Sequence, residues 1–259
     1  MRRRTALAGL EVAVPLAAVL LWWFLSSGSD SFYFPALSDI LSTFGDTWLF
    51  ERVGSDLVPS LVRLAAGFSL AVVVGIAAGV LLGVSPVARR TAAPIVEFLR
   101  AIPPPALIPA AIVVLGVGDL MKVLIIAMAC VWPILLNAID GVAGVEPTLL
   151  ETARSYGIAP RDRLRSVILP AALPRIFAGM RTSLSIAIIV MVVSEMVAST
   201  NGVGFFVRES QSSFAIPEMW SGILVLGLLG YVLNLAFTYV ERRLLRWHRG
   251  AGAGALAET

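Results

Sequence analysis

The sequence contains few of the side chains on which most enzymes and metalloproteins depend. Its 259 residues include one cysteine, Cys130, and one histidine, His248. A single cysteine excludes an intrachain disulfide and cysteine-based metal sites, and a single histidine leaves little scope for histidine-based catalysis. The only lysine, Lys122, lies in GDLMKVL, so the Gly-x4-Gly-Lys-Ser/Thr loop that cradles ATP phosphates is absent. We therefore expect no catalytic residues, no cofactor and no metal in this chain.

Charged residues are also scarce, and apolar residues take their place. Only 14% of the residues are charged and 58% are hydrophobic, with a mean hydropathy of +0.88. Soluble domains average about 25% charged residues. The composition predicts an all-α polytopic membrane protein.

Six apolar runs are candidates for membrane-spanning helices. The first covers 19 residues, about 28 Å of helix, whereas the core of a signal peptide has about 7–15 residues. We therefore expect a retained first span. The third run is short and follows three prolines, which predicts an irregular entry that must be covered by protein or face water. The predicted spans are residues 7–25, 61–84, 105–117, 121–139, 176–198 and 220–240.

The basic residues are divided unevenly between the two sides that these spans define. With the N-terminus inside, 16 of the 20 lie in segments assigned to the cytoplasm, in agreement with the positive-inside rule. We predict a multi-pass membrane protein with both termini in the cytoplasm. Basic charge then reflects topology, and we expect no nucleic-acid partner. The outer segment 26–60 is expected to form short helices along the membrane interface.

A charged segment between the fourth and fifth spans is unusual for this chain. It reads LLETARSYGIAPRDRLRSVILPAALPR from residue 149 to 175. Thr148 is the predicted N-cap of a short helix, and Glu151 completes a capping box with it. Glu151 can also pair with Arg154. We call residues 148–170 the elbow.

The middle of the elbow carries signals for a sharp bend. Gly157 is predicted to end the first helix in the left-handed conformation. Pro160 is predicted to begin a second short helix, which stops at Leu169 and Pro170. The elbow is either a loop packed on the protein's own cytoplasmic face or a docking surface for another protein.

The elbow resembles the EAA signature of permease subunits of bacterial ATP-binding-cassette (ABC) importers. That signature is Glu-Ala-Ala, three residues, Gly, nine residues, Ile, any residue, Leu-Pro. This sequence departs from it by a threonine at the second position and a valine in place of the isoleucine. The matching stretches are Glu151-Thr152-Ala153, Gly157 and Val167-Ile168-Leu169-Pro170.

Two further segments, 94–123 and 192–207, resemble the subfamily for nitrate, sulfonates, taurine and related solutes. The resemblance implies the type I ABC importer permease fold in a single transmembrane domain, 1–259, with a core of about 57–241. It also implies a place in the bacterial inner membrane, a homodimeric pore, two ATPase subunits that use Mg-ATP, and an extracytoplasmic solute-binding protein. The residues implied to couple the chain to the ATPase are Glu151, Thr152, Ala153, Arg154, Tyr156, Gly157, Leu169 and Pro170.

Candidate pathway residues lie near the outer end of the fifth span. Glu195 follows a long uncharged run, and a carboxylate at that depth is costly unless it faces protein or water. It is either a residue of a gate, pathway or dimer contact, or a side chain that snorkels to the interface or caps a helix. Asn201, Gly202 and Gly204 form a sharp turn nearby and are the other gate candidates.

The second span carries small residues at intervals of four. Gly75, Gly79 and Gly83 form a small-xxx-small face, which favours close packing against a helix of the same chain or of a second copy. Taken together, the sequence predicts an importer permease for a small polar solute such as a sulfonate, nitrate-like or other organic anion. The alternative is a secondary carrier or channel without an ATPase partner.

Overall fold

The computed structural model describes the backbone of residues 2–28 and 31–247, and within these ranges the side chains of all but residues 2–12, 50 and 51. His248 therefore lies outside the described residues. Throughout the described ranges the secondary structure is helical, without a strand. The α-helices are α1 (Arg2–Ser26), α2 (Leu37–Asp46), α3 (Val58–Val84), α4 (Pro86–Ala101), α5 (Ile108–Leu115), α6 (Asp119–Ala143), α7 (Pro147–Ser155), α8 (Pro160–Arg163), α9 (Leu169–Val197), α10 (Val203–Ser212) and α11 (Ile216–Leu244).

Short turns of other helix types extend two of the long helices. A π-helical turn at Val53–Leu57 joins α3, so that a single helix covers Val53–Val84. Another at Leu164–Ile168 joins α8 to α9, so that one helix of 38 residues covers Pro160–Val197. The remaining turns are a π-helical one at Thr47–Glu51 and a 3-10 one at Pro104–Leu107.

Four helices in the described chain are long and apolar enough to cross a membrane: Val53–Val84, Asp119–Ala143, Pro160–Val197 and Ile216–Leu244. They confirm four of the six predicted spans. The predicted first span lies in α1, of which Ala13–Ser26 is a shorter apolar helix. The predicted third span is wrong as a separate crossing, because α5 has only eight residues, about 12 Å of helix.

The predicted third span is the second half of a bent pair of helices. The segments Pro86–Ala101 and Pro104–Leu115 together have the length and composition of a span, but they meet at 80°. Consecutive prolines at 103–105 remove backbone donors and disfavour helix just before each ring, which explains the break. The irregular entry predicted from these prolines is confirmed.

Close packing of α3 on α6 forms the centre of the bundle. A Cβ atom added at Gly79 would lie 2.5 Å from the Cβ of Ala138, and one at Gly67 would lie 2.7 Å from that of Ile126. Only glycine lets the two backbones approach this closely. The small-residue face of the second span therefore packs within the chain.

A second face of α6 packs on α9. Ser183 donates a hydrogen bond to the carbonyl oxygen of Cys130 at 2.7 Å, and the Cys130 thiol donates to the carbonyl oxygen of Ser183 at 3.3 Å. Gly179 lies so close to Asn137 that an added Cβ would be 2.7 Å from the Asn137 Cβ. The order α3–α6–α9 positions both sites described below.

Candidate functional site

A cluster of polar side chains lies at the end of the bundle where α9 gives way to α10. We call it the polar cluster. Most of its side chains are fully buried, although the helices around them are apolar. Its members are Asp56, Ser60, Arg63, Asp119, Lys122, Glu195 and the turn 201–204.

The centre of the polar cluster is an ion pair between α3 and α9. Arg63 Nη1 donates to Glu195 Oε1 at 2.8 Å, and the two side chains are 4% and 0% exposed. Ser60, one turn before Arg63, donates to the same carboxylate at 2.8 Å. Ser60 and Arg63 share a helix face because they are three positions apart. Glu195 is thus completely enclosed and fully hydrogen-bonded.

The same carboxylate holds the N-terminus of α10. The backbone N–H of Gly204 donates to Glu195 Oε2 at 3.0 Å, and that of Val203 donates to Ser60 Oγ at 2.9 Å. The N–H of Gly202 donates to Asp56 Oδ1 at 2.8 Å. The first N–H groups of a helix have no partner within it, and its dipole favours negative charge there. Side chains from other helices therefore supply the cap that α10 lacks.

Both glycines of this turn are required by close approach. Gly202 has a φ of +115°, and a Cβ there would lie 2.5 Å from the Glu195 carboxyl carbon. A Cβ at Gly204 would lie 2.5 Å from the carbonyl oxygen of Val192. Larger residues would push the turn away from the Glu195 carboxylate, which caps α10.

Arg63 also connects the polar cluster to α6 and to the turn itself. Its Nε donates to Asp119 Oδ1 at 2.7 Å, and its Nη1 donates to the carbonyl oxygen of Asn201 at 3.1 Å. Its Nη2 donates to the Asn201 side-chain oxygen. Asp119 is 71% exposed, so the chain of contacts runs from the enclosed Glu195 to the surface. One guanidinium thus joins three helices and a turn.

With Arg52 at its rim, the polar cluster has three positive and three negative side chains. Lys122 Nζ lies 3.9 Å from Asp119 and donates to the carbonyl oxygen of Gly118 at 3.4 Å. Arg52 at the rim contacts Asp56 at 3.3 Å. Every buried side-chain nitrogen and oxygen of the described residues has a partner. Such a network ties helices together; it does not present a net charge to a solute.

The polar cluster brings together all four residues predicted for the pathway, Glu195, Asn201, Gly202 and Gly204. The prediction that Glu195 snorkels to the interface is wrong, because its side chain is enclosed. The alternative that it caps a helix is confirmed by its contact with the N-terminus of α10. Sequence reasoning missed Arg63 as a site residue. The available signal was a lone arginine near the start of an apolar span, which needs a buried partner.

At the other end of the bundle, the elbow bends at Gly157 as predicted. Gly157 has a φ of +67°. Its N–H donates to the carbonyl oxygen of Arg154 at 2.9 Å, and the N–H of Ile158 donates to that of Ala153 at 3.1 Å. These two bonds form a Schellman motif, which closes the C-terminus of α7. The predicted left-handed cap is confirmed.

Three local predictions for the elbow are wrong. The capping box is absent because Pro147 at the first helical position starts α7 early; Glu146 is the N-cap, with no side-chain cap, and Thr148 lies inside the helix. Glu151 and Arg154 form no ion pair in the described chain. The second helix does not stop at residues 169–170: Leu164–Ile168 form a π-helical turn. In a regular α-helix, Pro170 would leave one backbone carbonyl without a hydrogen bond, because proline has no N–H. The π-helical turn before it already has a different hydrogen-bond pattern, and the helix continues through Pro170.

The elbow leaves an apolar surface uncovered. Ala153 is buried against the protein, but Leu149 is 43% exposed and Tyr156 is 81% exposed. Glu151 and Thr152 are also exposed, while Leu169 and Pro170 are half-buried. Only part of the apolar side of α7 therefore packs on this chain.

The described residues hold no group of three His, Cys, Asp or Glu side chains placed to bind a metal ion. The two sites are thus the polar cluster, a network of paired charges at one end of the bundle, and the elbow, a partly exposed bend at the other end.

Comparison with known proteins assigns the chain to a family. Residues 71–246 match the model of the binding-protein-dependent transport system inner membrane component, and the chain belongs to this family. The taurine transport system permease protein of Escherichia coli strain K12 is 34% identical over 192 residues, 74% of this chain and 70% of that protein. The putative aliphatic sulfonates transport permease protein of Bacillus subtilis strain 168 is 32% identical over 213 residues, 82% and 77% of the two chains.

A solved structure matches the fold. A chain of the MetNI methionine ABC transporter in an inward-facing conformation superposes with a TM-score of 0.65 at 21% identity, covering 73% of this chain and 94% of the other. The protein therefore has the type I ABC importer permease fold and is a permease subunit of an ABC importer of the inner membrane. Such a subunit is not itself catalytic, and the family implies an ATPase and a solute-binding protein as partners. Family membership favours this function over a carrier or channel without an ATPase.

Proposed function

We propose that this chain, as one transmembrane domain over residues 1–259 with a core of about 57–241, lines the import pathway for a small polar solute. Two copies pair, each contacts one of two ATPase subunits through the elbow, and both termini lie in the cytoplasm. The partner ATPases bind and hydrolyse Mg-ATP. An extracytoplasmic binding protein delivers the solute.

The observation that carries the proposal is the uncovered side of the elbow. Leu149 lies on α7 and Tyr156 is its C-cap. A helix of nine residues is too short to be stable in water without packing. Its inner residue Ala153 is buried, so a second protein can cover the outer residues without displacing α7. Glu151 has no ion-pair partner in the described chain and is available to a basic residue of the ATPase.

Movement at the elbow would be transmitted by the helix Pro160–Val197. Its 38 residues correspond to about 57 Å. Glu195 lies near its far end, inside the polar cluster. A displacement of the ATPase-bound elbow would therefore pull on the ion pair with Arg63 and on the turn at Gly202. We assign the polar cluster the role of an outer gate that reorganises when the elbow moves.

The solute is proposed from the relatives. Two of them are named for taurine and for aliphatic sulfonates, and both names denote compounds with a sulfonate group. The balanced charges of the polar cluster provide no general attraction for anions. We propose that selectivity lies largely with the binding protein and that the solute is a sulfonate, a nitrate-like anion or another organic anion.

Replacement of the elbow glycine tests the coupling. Gly157→Val would force a β-branched residue into the left-handed region, so the bend should lose its rigidity while the protein still inserts. In proteoliposomes with the ATPase and binding protein, we expect ATP hydrolysis to continue and ATP-driven uptake to fall at least about tenfold. Gly227→Val is the control, because Gly227 has open space around it and no positive φ.

Normal ATP-driven uptake by Gly157→Val would contradict the coupling role. Cross-linking from cysteines placed between residues 148 and 170 gives a second test. Failure of every such position to capture the ATPase would remove the elbow as the docking surface.

A further inference from the structure

A cavity of about 480 Å³ lies between the elbow and the junction of α3 with α4. Its volume is in the range of about 300–1,000 Å³ typical of ligand pockets. Three arginines from three elements line it: Arg89 of α4, Arg154 of α7 and Arg163 of α8. We call it the arginine cavity.

These arginines have no anionic partner in the described chain. None of the three guanidinium groups forms an ion pair or hydrogen bond with a described residue, and no acidic residue is among those that line the cavity. Arg89 and Arg163 are half-buried and Arg154 is exposed, and Arg89 also borders a second cavity lined by Glu97 and Asp140. Like charges brought together and partly withdrawn from water are unfavourable unless an anion joins them. An anion that enters this cavity would meet three arginines and no acidic lining residue, which favours a ligand with negative charge.

The rest of the lining indicates what kind of anion fits. Val84, Leu150 and Ile168 provide an apolar surface beside the arginines, and Pro86, the first residue of α4, lies at the same rim. Guanidinium groups bind phosphate oxygens through paired hydrogen bonds. Basic pockets between membrane helices are suited to anionic lipid headgroups. The chemistry shared by these features is recognition of a phosphate group.

We propose that the arginine cavity binds a phosphate group, carried either by an anionic phospholipid or by a free phosphate. The apolar lining would contact the glycerol and upper acyl chain of a lipid. A bound phosphate would bridge α4 to both arms of the elbow and hold the elbow against the membrane helices. This effect on coupling rests on the proposed function, whereas the binding itself does not.

The test uses the full-length permease, purified in a neutral detergent. Dihexanoyl phosphatidylglycerol, dihexanoyl phosphatidylcholine and inorganic phosphate are titrated separately. The double variant Arg89→Gln/Arg163→Gln is compared with Arg90→Gln/Arg161→Gln, which removes two neighbouring arginines outside the cavity. Each single variant is measured as well, so that the test survives if one protein does not fold.

We expect saturable binding of an anionic probe, weakened at least about tenfold in the first double variant and within twofold of the wild type in the second. Binding of the phosphatidylglycerol but not of inorganic phosphate identifies a lipid site, and similar binding of both identifies a free-phosphate site. The zwitterionic phosphatidylcholine should bind more weakly than phosphatidylglycerol.

The proposal is overturned if neither anionic probe binds saturably, or if both double variants bind alike. It is also overturned if binding disappears in the permease–ATPase complex, because the arginines would then serve the ATPase. The measurement requires no transport, so its failure would leave the proposed function standing. Normal coupling in Gly157→Val would likewise leave this site standing.

Discussion

The two ends of the helix Pro160–Val197 differ in whether their charged side chains have partners within the chain. At the far end, Glu195 is enclosed, and Ser60, Arg63 and the backbone of Gly204 satisfy it. At the elbow end, Arg154 and Arg163 face a cavity without an acidic residue in its lining. A network satisfied within the chain stabilises one arrangement of helices. Charges without an internal partner are available to other molecules.

The comparison is tested most strongly at the buried ion pair. Arg63→Met would leave Glu195 buried without its positive partner, and we expect a loss of about 3–5 kcal/mol in the free energy of unfolding. Thermal and denaturant unfolding of the purified protein would measure it. Because the pair Arg181–Glu241 is much more exposed, Arg181→Met should cost less than about 1 kcal/mol.

A double variant separates the lost pair from lost packing. Arg63→Met/Glu195→Gln removes both charges and should be more stable than Arg63→Met alone, since no buried charge is left unpaired. Equal stability of Arg63→Met and the wild type would show that the ion pair does not hold this end of the bundle together.

Gly202→Ala should have the next largest effect. The positive φ and the approach of the Glu195 carboxylate both oppose a side chain, and we expect a cost of about 1–3 kcal/mol, with reduced uptake. Gly45→Ala is the matched control, because nothing lies within 4 Å of a Cβ at that glycine of α2. Equal unfolding temperatures of the two variants would show that the turn at Gly202 is not closely packed against Glu195.

The smallest effect on stability is expected at the elbow surface. Tyr156→Ala removes an 81% exposed ring and should leave the unfolding temperature unchanged. In a pull-down or titration with the ATPase, we expect about tenfold weaker binding, equivalent to about 1.4 kcal/mol. Tyr231→Ala, at a ring 64% exposed on α11, is the control. Equal ATPase affinity for both variants would contradict docking at Tyr156.

Much of the fold could be predicted because its signals are local. Four of the long helices follow from uninterrupted apolar runs, since lipid requires every backbone group to be bonded within the helix. The bend at Gly157 was predictable because a helix that ends in the left-handed conformation favours glycine. The break near residues 103–105 follows in the same way from consecutive prolines.

The errors arose where a neighbouring residue changed a local pattern. Thr148 and Glu151 have the spacing of a capping box, yet Pro147 begins the helix before them. Leu169 and Pro170 look like a helix end, yet a π-helical turn carries the helix past them. Both sequence signatures are short. In each case another local structure, the helix start at Pro147 or the π-helical turn, uses the same backbone groups.

The polar cluster was predicted only in part. Glu195 was singled out from its depth in an apolar run, but its partners Ser60 and Arg63 are more than 130 positions away in the chain. The spacing of Ser60 and Arg63 indicates that they share a helix face, but it does not indicate what that face contacts. Asp56 and Asp119 carried no signal beyond their charge.

The sequence by itself determined that this is a helical membrane protein, where most of its spans lie and where the elbow bends, because periodicity, apolar length and backbone preference act over a few residues. Only the tertiary structure decided that glycines of α3 pack on α6, that Glu195 caps α10 and that three arginines meet in one cavity. These are contacts between distant segments, and they depend on how the helices pack side by side.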